Sequence, residues 1–320
     1  MRSLRTEKEI MANWEGDLSK PVVSVCCITF NHEPYIEDAL EGFLIQETDF
    51  PFEIIIHDDA STDKTADIIR EYVSAYPNII KPILQTENQY SKFPNKPGML
   101  ALEACQGEYI ALCEGDDYWL DKRKISIQKQ FLDSNLDFVL TTVDAYSIDQ
   151  DGNVLQNSRI GKNFKCKMSS DDLVYVKFHL PTMNLMFRRV GLPNFDEIRY
   201  VGNFDYFLVS TLGLHGMGFL HRDINPSVYR VHSEGVWSMA SRSKQLDMML
   251  KTQAIMYMFY EGNNHKEYSN FFWLRFIKLT FQKLTYLSIL KHLGLKLVNQ
   301  RRFLSYCKGK MIFLFKVYKK

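Results

Sequence analysis

Missing from these 320 residues are any C-x-x-C pair, any glycine-rich phosphate loop, and any apolar run long enough to span a bilayer. The six cysteines (Cys26, Cys27, Cys105, Cys113, Cys166, Cys307) are scattered or directly adjacent, without clustered histidines to complete a zinc site. They read as small buried residues in a reducing compartment. Without G-x-G-x-x-G or G-x-x-x-x-G-K-[ST], a dinucleotide enzyme and a P-loop NTPase are disfavoured. The longest uncharged run, residues 206–221, holds three glycines and two histidines and is too short and polar for a membrane helix. The opening MRSLRTEKEIMANWEGD lacks the apolar stretch of a secretory signal, so the expectation is a cytoplasmic protein.

Net charge is nearly absent too. Lys+Arg 39 against Asp+Glu 38 leaves +1, and no whole-chain field points to nucleic acid. The balance conceals an asymmetry: residues 265–320 carry 13 Lys/Arg and one acid, net +12, against −11 for the rest. With 46% hydrophobic and 24% charged residues, the chain has the composition of a folded globular protein.

Residues 22–30 (VVSVCCITF) and 52–56 (FEIII) are apolar, β-branched runs of the kind buried on both faces of a sheet. Ile36, Leu40, Phe43 and Leu44 recur at helical spacing, as do Thr65, Ile68, Ile69, Tyr72, Val73 and Tyr76 ahead of Pro77. Strands at 79–84, 108–113 and 138–143 and helices at 97–105 and around 125–132 continue an alternation that predicts a doubly wound, mostly parallel sheet flanked by helices. In such sheets ligands sit beyond the carboxyl ends of strands, so the loops at 31–34, 57–63 and 114–119 should converge. A polar turn at 149–153 predicts a hairpin.

The sharpest chemical feature is Glu114-Gly115-Asp116-Asp117, three carboxylates in four positions at the end of an apolar strand. They repel one another unless a cation compensates them, and oxygen ligands with a diphosphate suit Mg²⁺ or Mn²⁺. The plainer alternative is a solvated turn capping the next helix. In the second acidic cluster, residues 57–63, helix capping explains Ser61, Thr62 and Asp63. It leaves Asp58 and Asp59 at the strand tip, where paired acids are costly unless they accept from a donor-rich ligand such as a nucleobase or ribose.

Ile28-Thr29-Phe30-Asn31, the helix after it and Asp58-Asp59-Ala60-Ser61-Thr62-Asp63, followed by Gly107-Glu108-Tyr109-Ile110 and Glu114-Gly115-Asp116-Asp117, resemble the ordered motifs of the family 2 inverting glycosyltransferases of GT-A fold, of the bacterial surface-polysaccharide type. The match covers roughly residues 22–240. The resemblance implies that Thr29, Asn31, Glu33, Asp58, Asp59, Glu114, Asp116 and Arg230 line the nucleotide-sugar site, with the base typically uracil. It implies Asp116 as a ligand of Mn²⁺ or Mg²⁺, with Glu114 and His232 as further ligands. Glu114 stands where the family's first D-x-D acid is expected, one methylene longer. The implied reaction is a single displacement in which a base deprotonates the acceptor hydroxyl.

Asp117 is a candidate catalytic acid, and Asp205 in Gly202-Asn203-Phe204-Asp205 a candidate base. The family acid also aligns on Asn203, which is no Brønsted base, so Asp196 and Glu197 stand in reserve. Arg230 offers either a bidentate phosphate contact or a structural ion pair. Tyr118, Trp119 and Trp237 either stack on sugars or pack the core, and residues 181–184 border a candidate acceptor pocket.

The expected organisation is an N-terminal extension (1–20), a glycosyltransferase domain (21–242, with nucleotide-sugar half 21–146 and acceptor half 147–242) and a helical basic region (243–320). Residues 270–320 interleave aromatic and cationic side chains, either as a face for an anionic membrane or as a packed helical subdomain with solvated lysines. The function implied is sugar transfer from a nucleotide-sugar, UDP-linked in the family's habit, to a saccharide or lipid-linked acceptor. A nucleotidyltransferase and a noncatalytic nucleotide- or carbohydrate-binding relative are the alternatives. No nucleic-acid partner is expected.

Overall fold

The computed structural model describes residues 4–283 apart from 234, 236 and 238. Eleven strands are assigned among them: β1 (Val23–Thr29), β2 (Phe52–Asp58), β3 (Ile80–Leu84), β4 (Tyr109–Leu112), β5 (Phe138–Val143), β6 (Ala145–Asp149), β7 (Val154–Gln156), β8 (Lys167–Met168), β9 (Met186–Arg188), β10 (Met217–His221) and β11 (Ser227–Val231). Eight form one sheet in the order β3-β2-β1-β4-β9-β5-β10-β8. Its pairs are parallel except where β9 runs antiparallel between β4 and β5 and where β8 closes the edge. The expected α/β fold with a mostly parallel, helix-flanked sheet is therefore present.

Residues of β1 and β2 are almost all buried, because helices cover both faces of a parallel sheet. The register places Thr29 of β1 opposite Asp58 of β2, and Cys26 opposite Leu112 of β4. Asp59 N–H then donates to the Thr29 carbonyl (3.0 Å) and Gly115 N–H to the Ile28 carbonyl (3.0 Å). Both acidic loops are thus fastened to the tip of the central strand, one on each side. A smaller sheet, β11-β6-β7, contains the expected hairpin and ends in the chain segment that carries His232.

The chain divides into two units. The first is Met1–Leu192 with Leu208–Gly235, and the second is Pro193–Phe207 with Val236–Lys320. The first unit takes in the amino-terminal segment. Ile10 joins its core, Trp14 lies edge-on to Phe52 at 5.4 Å, and Arg5 donates to the carbonyls of Leu44, Ile45 and Gln46.

In the second unit, helices Arg242–Gly262 and Lys266–Lys283 pack on each other through Ala254, Tyr257, Trp273 and Phe276, with Tyr260 stacked on Phe272. The apolar stripe of the basic region's described part thus faces the preceding helix, while Leu274 and Phe281 remain exposed. The rest of that region lies outside the described residues.

Candidate functional site

The loops after β1 and β2 are stitched together. Asn31 adopts a left-handed φ of 55°, which presents its N–H to Ser61 Oγ (2.8 Å) and its side-chain oxygen to Thr62 N–H (2.8 Å). Glu33 N–H donates to Asp63, and the Glu33 carboxylate accepts from Lys64 N–H. Burial raises the Asp63 carboxyl, but bonds from Thr65 and Glu33 outweigh it and leave the group below its ordinary range.

Asp58 and Asp59 are almost fully buried. Asp58 accepts from the Ser61 hydroxyl and N–H, while Asp59 accepts from Gln89 N–H (2.8 Å) and Tyr90 N–H (2.9 Å). The compensation that the sequence left to a ligand is supplied within the protein. The pair fixes its own loop and the loop after β3. Thr29 turns a buried hydroxyl, without a hydrogen-bond partner, toward Gly115, where a Cβ would stand 2.8 Å from that oxygen. Only glycine lets the acid loop lie this close to the strand tip.

In the second acidic loop Asp116 faces two imidazoles. Its Oδ2 lies 2.9 Å from His232 Nε2 and 3.9 Å from His32 Nε2. Burial raises the Asp116 carboxyl, but the His232 hydrogen bond and the charges of His32 and His232 outweigh it, so the group lies below its ordinary range. Donor atoms of the three residues all lie within 4.8 Å of one another. A divalent ion with ligand distances of ~2.1 Å needs only a small closure to reach all three.

His32 was missed by sequence reasoning, which took Thr29, Asn31 and Glu33 around it. The available signal was a histidine directly after a strand tip that faces an acid cluster. Glu114 is not in the trio. Asp117 is buried and accepts from Arg230 N–H (2.8 Å). Burial, then Asp116 and Glu114, push its carboxyl well up. This geometry makes Asp117 a fastening of the loop to β11.

Arg230 has the structural role of its two alternatives. The guanidinium pairs with Asp38 (2.7 Å), donates to the Asp116 carbonyl (3.2 Å) and lies over Tyr35. Trp119 is fully buried, bonded through Nε1 to the Met183 carbonyl and edge-on to Phe43, which removes it as a sugar-stacking surface. Asn184 is likewise a core hub, bonded to the carbonyls of Val143 and Asp144 and to Ser227, so it does not line an open acceptor pocket. A polar cavity of about 550 Å³ near the start of β2, lined by Arg5, Glu47, Asp49, Lys129 and Asp133 among others, contains none of these groups.

The base candidates fall in the second unit. Asp205 occupies the first turn of helix Phe204–Leu212. Asn203 bonds Thr252 through its N–H and side-chain oxygen. Asp196 pairs with Arg199, and Glu197 exchanges hydrogen bonds with Asn194 at the start of its own short helix. Both reserves therefore have local structural partners.

The model of the family described as "Glycosyl transferase family 2" matches residues 24–192. The chain is similar to an uncharacterized protein of Mycobacterium tuberculosis, 36% identical over 223 residues, 68% of this chain and 61% of that one. It therefore spans about three fifths of that relative's length. It is also similar to the UDP-Glc:alpha-D-GlcNAc-diphosphoundecaprenol beta-1,3-glucosyltransferase WfaP of Escherichia coli, 28% identical over 226 residues, 70% of this chain and 82% of that one. Among solved structures it resembles Staphylococcus aureus TarS 1-349 in complex with UDP, with TM-score 0.57 and 20% identity, covering 88% of this chain and 77% of that one. The chain belongs to glycosyl transferase family 2.

Proposed function

We propose that this family 2 protein transfers a sugar, with inversion, from a UDP-sugar to a saccharide or lipid-linked acceptor in cell-surface polysaccharide or glycolipid assembly. The observation that carries the reading is the grouping of Asp116, His232 and His32 beside the β1 tip. Asp116 and the two histidines would hold a divalent ion, which when bound neutralises the departing nucleoside diphosphate. Two imidazoles with one carboxylate suit Mn²⁺ better than Mg²⁺, which prefers oxygen alone. Asn31, Glu33 and the Asp58/Asp59 loops form the nucleotide side, and Asp117 and Arg230 hold Asp116 in place. Asp205 takes the acceptor proton. The names of WfaP and of the UDP complex support the donor and acceptor classes.

No helix of the described residues is long and apolar enough to cross a membrane. Exposed Leu274 and Phe281 on the cationic helix Lys266–Lys283 support a peripheral contact with anionic lipid.

The direct test is calorimetry with UDP, GDP, CDP and ATP, each with Mn²⁺ and with a chelator, followed by measurement of UDP release from UDP-sugars. Selective, metal-dependent UDP binding is expected. Absence of diphosphate binding in both conditions would overturn the proposal.

A further inference from the structure

One cation outside the trio has no carboxylate paired with it among the described residues. Arg159 follows β7 in a loop whose backbone is held from the end of β5. The Asp144 carboxylate accepts from Ala145, Arg159 and Ile160 N–H and from the Ser158 hydroxyl, and Arg159 N–H donates to the Ala145 carbonyl. The side chain is as fixed as its backbone. Its guanidinium carbon lies 4.0 Å from the centre of the Tyr229 ring, and one terminal nitrogen donates to Ser147 Oγ at 3.1 Å. The other lies 3.5 Å from His179 Nε2, on an exposed residue. Among the described residues no carboxylate pairs with this half-buried guanidinium, and its Nε is buried without a hydrogen-bond partner. A preoriented fork of this kind, partly removed from water and lacking a carboxylate, is a receptor for a planar or tetrahedral anion.

The guanidinium also lies over β11, the strand that fastens the acid loop. Arg230, the residue after Tyr229 on β11, donates its N–H to Asp117 in that loop. Tyr229, on which Arg159 stacks, is the next residue along β11 from Val228, which bridges to Tyr118.

We infer that Arg159 binds a phosphate group of a substrate at the edge of the Glu114–Asp117 loop, as a specificity-determining residue separate from the Asp116 trio. The inference rests on the transferase reading only for which substrate carries the phosphate: the donor's diphosphate or that of a lipid-linked acceptor.

The experiment compares the full chain with Arg159→Met, whose apolar stem still covers Tyr229, and Arg159→Lys, which keeps the charge without the fork. Unchanged thermal midpoints check folding. Affinities are measured by calorimetry for UDP with Mn²⁺ and, separately, for farnesyl diphosphate. A loss of about tenfold or more for farnesyl diphosphate in Arg159→Met, with UDP unaffected, assigns the phosphate to the acceptor. The same loss for UDP assigns it to the donor, and partial recovery in Arg159→Lys is expected in either case. Unchanged affinity for both ligands, or no binding of either by the unmodified chain, overturns the inference. Binding of farnesyl diphosphate that depends on Arg159, in a chain that binds no UDP, rejects the transferase reading and leaves this site standing.

Discussion

Asp58-Asp59 and Asp116-Asp117 are the same dipeptide at the ends of two strands that flank β1, yet the charge of Asp116 is met in a different way from that of Asp58 and Asp59. Around Asp58 and Asp59 the donors are a hydroxyl and backbone N–H groups of Ser61, Gln89 and Tyr90. Such bonds stabilise carboxylates by fixing a loop. Around Asp116 the neighbours are two titratable imidazoles, groups that bind either a proton or a metal. Paired acids in a sequence therefore signal a concentration of donors but not their kind. Backbone donors build a wall, and side-chain ligands build a site.

The largest effect expected from that contrast is on Asp116→Asn. Removing the single anionic donor of the trio should lower transfer by roughly 10²-fold or more and abolish Mn²⁺ binding in calorimetry, with the fold retained by circular dichroism. Retained Mn²⁺ affinity would place the two loops in one class.

Asp59→Ala should act in the reverse sense, primarily on stability. It strips Gln89 and Tyr90 N–H of their acceptor, and a loss of about 1–3 kcal/mol is expected in urea unfolding. An unaltered midpoint would show that the loop after β3 holds without this clamp.

Acidification probes the same region. Burial lowers the pKa of His57, at the end of β2, and of His221, against the opposing pull of Asp59 and Asp58 on the first and Asp223 on the second. The unfolded chain then takes up these protons from about pH 6.5 downward while the fold resists them, so stability should fall as pH drops through that range. His57→Gln should flatten the slope of the thermal midpoint against pH. A slope unchanged by the substitution would assign the pH dependence elsewhere.

The smallest effect belongs to Ala60, held at a φ of 62° beside Asp59. Ala60→Gly relieves that left-handed strain and should raise stability by ~1 kcal/mol, read from the same urea titration.

Much of this arrangement was legible in the sequence, for identifiable reasons. Runs such as VSVCCIT and FEIII announce buried parallel strands, and the polar residues behind them must then share one edge of the sheet. The antiparallel direction of β9 was not legible, because three residues carry no sign of which neighbours they pair with. The clamp on Asp59 was hidden for a different reason: its donors are backbone groups 30 and 31 residues away, and every residue type except proline has one. The burial of Trp119 depends on Phe43 and Met183, far along the chain in either direction. Arg159 was overlooked because it belongs to no motif; what marks it is a guanidinium with no carboxylate paired to it among the described residues.

The trio's donors are residues 32, 116 and 232, so the site spans 200 positions of a chain made from one end. At about 5–20 residues per second, His232 is synthesised roughly 10–40 s after His32. During that interval the nascent protein carries the strand tip and both acidic loops but lacks the second imidazole and the β11 backbone that fastens Asp117. On the metal site proposed above, acquisition of the ion would be a late event in biosynthesis, and a chain truncated before β11 would lack one of the three donors however well its first strands had folded.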